Sequence, residues 1–88
     1  MLQIQPTSRF KKDLKRYADR RDFAETKRVI EMLERGEKLP PKYKEHKLKG
    51  IYHECLECHI KPDWLMIYEI TETHLILHRT GSHSELFG

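Results

Sequence analysis

Residues 53–59 read His53-Glu54-Cys55-Leu56-Glu57-Cys58-His59. As a motif, Cys55 to His59 has the C-x-x-C-H spacing at which a c-type haem is attached, and with His53 in front the stretch also carries the ligand types of a zinc site. As a strand, it argues against both. Side chains alternate along a strand, so Tyr52, Glu54, Leu56, Cys58 and Ile60 share one face while His53, Cys55, Glu57 and His59 share the other. Cys55 and Cys58 then point apart, and one haem or one ion cannot collect both without breaking the strand. A structural zinc site needs four convergent ligands; His53, Cys55 and His59 supply three at most. The mostly apolar face turns to the core and the polar face turns outward. On this reading no metal and no cofactor is expected.

The flanking sequence favours the strand over about 52–60. Lys61-Pro62-Asp63 makes a turn, a second strand covers 64–70, Thr71-Glu72 makes the next turn, and a third strand covers 73–80. Turns this short demand antiparallel neighbours. Trp64, with Met66, Tyr68 and Ile70 at alternating positions, is expected in the core, with Leu65, Ile67, Leu75, Ile76 and Leu77 as further packing residues. Upstream, Leu2 to Gln5 alternates and ends at Pro6, the pattern of a short strand. Thr7 or Ser8 can cap a following helix, whose apolar stripe is Phe10, Leu14 and Tyr17. Ala18–Arg21 breaks that pattern. Asp22 and Glu25 have capping-box spacing for a second helix, with Phe23, Thr26, Val29, Ile30, Met32 and Leu33 as its buried face and Gly36 as its terminator. The expected fold is α+β: an N-terminal strand, a two-helix α-hairpin and three antiparallel strands in a small twisted sheet, as a single domain over residues 1–88.

Composition sets the class. The chain has 88 residues, 38% hydrophobic and 35% charged, which suits one small globular domain. No apolar run approaches the roughly 18 residues of a membrane helix, and the N-terminus lacks the apolar core of a secretory signal. A cytoplasmic location is expected, where thiols stay reduced; that weakens haem attachment and a disulfide alike. Charge is divided unevenly. Residues 1–50 hold 15 Lys and Arg against 8 Asp and Glu, a balance of +7; residues 51–88 hold 2 against 6, a balance of −4, and five of the six histidines. The first part is a surface for polyanions, or simply solvated helix faces; the second is titratable. Glu57 and His59, two strand positions apart, with Asp63 close behind, form a carboxylate–imidazole group of the kind acid–base chemistry uses.

Three segments carry a resemblance: Pro40-Pro41-Lys42-Tyr43-Lys44-Glu45-His46-Lys47-Leu48-Lys49-Gly50, then Leu56 to Tyr68, then Arg79 to Gly88. The patterns Y-x-x-H-x-L-x-G, H-x-x-P-D-W and R-x-G-x-H-x-x-L-F, in that order, resemble the YafQ family of RelE-superfamily toxins from bacterial toxin–antitoxin modules. The resemblance implies a RelE-like fold and a ribosome-dependent endoribonuclease that cuts mRNA in the A site and is blocked by a cognate antitoxin. It implies active-site positions at His46, His59, His83, Glu57 and Asp63, with Phe87 as a terminal aromatic. Glu57 stands where the family often has Asp, and Tyr52, Glu54 and Leu56 stand where it can carry Trp, Gly and Arg.

The implied chemistry needs no metal. A base takes the proton of the RNA 2′-OH, the oxygen attacks phosphorus, and an acid protonates the departing 5′-oxygen. Histidine suits both tasks because its ordinary pKa is about 6.5. Lys47, Lys49 and Arg79 are the candidates to meet the phosphate charge, and Phe87 to stack on a base. His83 is expected on a terminal loop as a leading acid or base, with His59 and Asp63 as a second pair. The expected partners are mRNA, an antitoxin laid over the basic face, and operator DNA only through that antitoxin; no membrane is involved. Two other functions fit the same chain: a ParE-like inhibitor of gyrase without nuclease activity, and a non-toxic, antitoxin-bound co-repressor.

Overall fold

The fold is α+β, and a five-stranded sheet organises it. The computed structural model describes residues 1–16 and 23–88. In chain order the elements are β1 (Gln3–Pro6), α1 (Ser8–Arg16), α2 (Phe23–Glu34), β2 (His46–Lys47), β3 (Leu56–Lys61), β4 (Trp64–Ile70), β5 (His74–Gly81) and α3 (His83–Phe87), with short 3₁₀ turns at Pro41–Tyr43 and Gly50–Tyr52. The strand order is β1-β5-β4-β3-β2. Strands β2 to β5 pair antiparallel, while β1 closes the far edge parallel to β5. Tyr17, the Ala18–Arg21 break and the Asp22 cap lie outside the described residues.

Local chemistry places the helices. Thr7 is the cap of α1: its hydroxyl oxygen accepts the Phe10 amide at 3.1 Å and donates to the His78 carbonyl at 3.1 Å, tying the helix start to β5. The end of α2 is a Schellman turn. Gly36 adopts φ 76°, its amide reaches the Leu33 carbonyl at 3.0 Å, and the Glu37 amide reaches Met32 at 3.0 Å. Phe10 of α1 and Val29 and Leu33 of α2 are buried against Cys58, Ile60, Trp64, Met66, Tyr68, Leu75 and Leu77 of the sheet. The Trp64 indole N–H donates to the Thr26 hydroxyl at 3.1 Å, so the one buried polar edge of that ring is satisfied.

The expected strand over 52–60 begins later, at Leu56. The His53 amide donates to the Gly50 carbonyl and the Cys55 amide to the Tyr52 carbonyl, at 3.1 and 2.8 Å. Those turn bonds use the amides that a strand would offer its neighbour. Tyr52, His53 and Glu54 therefore do not follow the alternation assumed for them, and His53 shares no strand face with Cys55 and His59. From Leu56 onward the alternation holds, with Cys58 and Ile60 in the core. The opposite face is less open than expected. Cys55 and Glu57 are buried, and so are Leu65 and Ile67, which pair with His59 and Glu57 across β3–β4.

Burial and the carboxylates of Glu45 and Glu57 push the Cys58 thiol up to about 12. The thiolate is the reactive form. Cys58 is accordingly expected to resist iodoacetamide at mildly alkaline pH in the folded protein and to react once denaturant is added. Mass spectrometry of the alkylated chain checks this, and rapid labelling of Cys58 without denaturant would contradict it.

Candidate active site

Three histidines distant in sequence meet at one end of the sheet. His46 lies on β2, and the pairing of His46 with Glu57 brings it beside β3. His59 lies on the same strand, two residues past Glu57. His83 is the first residue of α3, where a loop was expected. The S-x-x-E spacing of Ser82 and Glu85 signals that helix in the sequence: the Ser82 hydroxyl accepts the Glu85 amide and the Glu85 carboxylate accepts the Ser82 amide. Ring centroids are 5.9 Å apart for His46 and His59 and 5.6 Å for His59 and His83. The rings form a row with His59 in the middle.

A carboxylate serves each end. Glu57 Oε1 lies 3.2 Å from His46 Nε2 and 3.6 Å from His59 Nε2. Glu57 Oε2 is buried and has no hydrogen-bond partner among the described residues. His46 Nδ1 sits 2.8 Å from the Lys44 carbonyl. A carbonyl only accepts, so Nδ1 carries a hydrogen, and Nε2 is the nitrogen turned to Glu57. At the other end Asp63 Oδ1 accepts from His83 Nδ1 at 3.0 Å and from the His83 backbone amide at 3.1 Å. Asp63 thereby fixes the tautomer of His83, leaving Nε2 available. The capped start of α3 delivers His83 to the β3–β4 turn, where Asp63 meets it.

The expected phosphate ligands divide. Arg79 does not stand as a free cation. Its Nε and Nη2 donate to the two oxygens of Asp13 at 2.8 and 3.2 Å, and Asp13 also accepts the Thr80 amide at 3.1 Å. The Asp13 bond holds the Arg79 guanidinium above its ordinary pKa. Lys47 lines a separate groove with His53, Cys55 and Ile70. Lys49 is exposed, and Phe87, at the end of α3, is half-exposed. A cavity of 310 Å³ opens directly beside His59, lined by Lys42, Lys44 and Lys61 together with Ile60 and Pro62. Those three lysines were not singled out from the sequence as ligands. Lys42-Tyr43-Lys44 is visible there as a basic run, but only the fold brings Lys61 across from it.

These features are those of a small α+β domain with a histidine–carboxylate centre suited to acid–base chemistry. The family described as the bacterial toxin of type II toxin–antitoxin systems, YafQ, matches residues 2–88. The chain belongs to this family. It is 34% identical over 87 residues to the mRNA interferase toxin YafQ of Escherichia coli strain B / BL21-DE3, covering 97% of this chain and 95% of that one. A second relative of the same name, from Escherichia coli K12, is 44% identical over 50 residues, 57% of this chain; the match spans about half, 54%, of that relative's length. Among solved structures, the E. coli DinJ–YafQ toxin–antitoxin complex superposes with a TM-score of 0.90 at 34% identity, over 99% of this chain and 98% of that one. A metal-bound toxin from Helicobacter pylori superposes with a TM-score of 0.90 at 44% identity, over 99% and 100%.

Proposed function

We propose that this chain is a toxin that cleaves mRNA in the ribosomal A site and is neutralised by a cognate antitoxin. The observation that carries the reading is the row of His46, His59 and His83 with a carboxylate at each end. Attack by a 2′-oxygen is in line, so the base and the acid must stand on opposite sides of phosphorus. Imidazoles spaced 5.9 and 5.6 Å apart can stand one on each side of a phosphate. His59, backed by Glu57, takes the 2′ proton. His83, its Nδ1–H held by Asp63, gives a proton from Nε2 to the 5′-oxygen. Each positioned transfer contributes roughly 10²–10⁴-fold. Lys42, Lys44 and Lys61 carry the neighbouring phosphates. A groove of 310 Å³ holds little of an RNA strand, so the ribosome supplies the rest of the positioning, the term that dominates when reactants must be aligned.

The decisive experiment maps mRNA 5′-ends after induction of the wild-type chain and of His83→Ala. Cuts inside translated codons, present only with the wild type, are expected. Intact mRNA with a DNA-damage response would overturn the reading in favour of a gyrase inhibitor. In vitro, the triple variant Lys42→Gln, Lys44→Gln, Lys61→Gln is expected to bind single-stranded RNA more weakly, with a salt slope shallower by roughly 0.7 for each phosphate contact removed. An unchanged slope would take these lysines out of the path.

Metal bears on the same residues. His46, Glu57 and His59 place one ligand atom each within 4.8 Å of one another, and the partnerless Glu57 Oε2 adds a donor; the set fits a divalent ion. An ion bound there would supply Lewis-acid polarisation of a phosphoryl oxygen. Imidazole lone pairs engaged in coordination no longer accept protons. Added zinc is therefore expected to inhibit cleavage and a zinc-selective chelator, at fixed free magnesium, to leave it intact, as checked on purified ribosome complexes.

A further inference from the structure

The opening motif contains one ligand of a second site, outside the acid–base row. We infer that Cys55, Glu69 and His78 form a three-residue binding site for a zinc-class divalent ion that ties together β3, β4 and β5. Their ligand atoms, one thiol sulfur, one carboxylate oxygen and one imidazole nitrogen, lie within 4.8 Å of one another. Glu69 Oε1 is already 3.1 Å from His78 Nε2. None of the three belongs to the His46–Glu57–His59 group, and the inference stands whether or not the chain cuts RNA.

Pairing geometry assembles the trio. Leu56 pairs with Tyr68, so Cys55, one residue before β3, falls opposite Glu69 on β4. Between β4 and β5 the register slips: Ile67 pairs with Arg79 and Tyr68 with Leu77, leaving His78 as the extra residue. A bulge of this kind re-aims a side chain, and here it delivers the imidazole to Glu69. A regular ladder would have kept His78 in step with its neighbours. Thr7, whose hydroxyl donates to the His78 carbonyl, holds the bulge from the other side.

The chemistry selects the ion. Sulfur and imidazole together favour zinc, copper or nickel over magnesium and calcium. Three protein ligands leave a fourth position open; Glu69 and His78, each about 30% exposed (30% and 28%), leave that position to solvent. Cys55 is buried, and burial, then the carboxylates of Glu69 and Glu54, raise its thiol pKa. The negative groups that oppose a bare thiolate are the ones that attract a cation, and coordination removes the conflict.

Cobalt(II) titration of the untagged protein tests the site, since a cysteine ligand gives a thiolate-to-cobalt charge-transfer band in the near ultraviolet. The band is expected in the wild type, in Cys58→Ala and in the double variant His46→Ala, His59→Ala, where it should saturate at one equivalent. It is expected to vanish in Cys55→Ser. In Glu69→Gln and in His78→Gln, affinity should fall by more than the roughly 10–100-fold that loss of an outer partner of a ligand costs. Zinc should displace the cobalt and raise the melting temperature of the double variant His46→Ala, His59→Ala but not of the same variant carrying Cys55→Ser as well, as binding to the native state alone requires. Circular dichroism verifies that each variant is folded. No band in the folded wild type, a band that survives Cys55→Ser, or a band lost with His46 and His59 would each overturn the assignment.

Discussion

His83→Ala is expected to reduce the single-turnover rate of mRNA cleavage by roughly 10²–10⁴-fold, the range for loss of one positioned acid or base, with little change in stability. His83 is half-exposed, and its removal leaves the Asp63 carboxylate still accepting the backbone amide of residue 83, so α3 keeps its start. Asp63→Asn provides the control that separates chemistry from positioning. The amide oxygen can accept the same backbone N–H, but it does not stabilise a positive imidazole. Its rate should fall less than that of His83→Ala. Equal rates in wild type and His83→Ala on ribosome-bound mRNA would remove His83 from the mechanism. Combining His83→Ala with His59→Ala should cost less than the product of the two single effects, since groups that act in one step are not additive.

Asp13→Ala is expected to have the largest effect on stability. Asp13 receives both donors of the Arg79 fork and the Thr80 amide, and the two side chains are only 10% and 14% exposed. Removing the carboxylate takes the main partner from a largely buried cation, leaving it Tyr52, and the acceptor from the Thr80 amide together. Breaking a buried pair in this way costs about 3–5 kcal/mol, a large share of the stability of a domain this small. Urea denaturation followed by circular dichroism measures it, and a loss below about 1 kcal/mol, the value of an exposed pair, would show that the Asp13–Arg79 contact does not hold α1 to β5. The double variant Asp13→Leu, Arg79→Leu separates pairing from packing: replacing both charges should recover most of the loss. The same contact explains why Arg79 is a poor choice of phosphate ligand.

Much of the fold was legible because it follows from periodicity. The alternation of Trp64, Met66 and Tyr68, the stripe begun by Phe10 and the glycine stop at Gly36 are local signals, and each element they announce is present. The misses have local causes too. β2 is two residues long, too short for any period. α3 carried its own signal in Ser82 and Glu85, and that capping box outweighs the absence of an apolar stripe. The 3₁₀ turn at Gly50–Tyr52 was hidden by the alternation assumed across it. Glu57 was expected on an open face, yet it is 4% exposed. Which groups cover a sheet face depends on segments remote in sequence, and no pattern within β3 encodes them.

What the sequence by itself determined was the order and type of the long elements, the separation of the two cysteines onto opposite sides, and the chemical types gathered for acid–base work. Those follow from torsional periods and from side-chain chemistry, both of which are properties of short stretches. Only the tertiary structure decided that Asp63 meets His83, that Arg79 is spent on Asp13, that Lys61 joins Lys42 and Lys44 beside His59, and that a register slip carries His78 to Glu69 and Cys55. Each of these is a contact between residues on different elements, made or prevented by strand register and helix placement within a few ångströms, and distances of that size are set by packing of the whole chain.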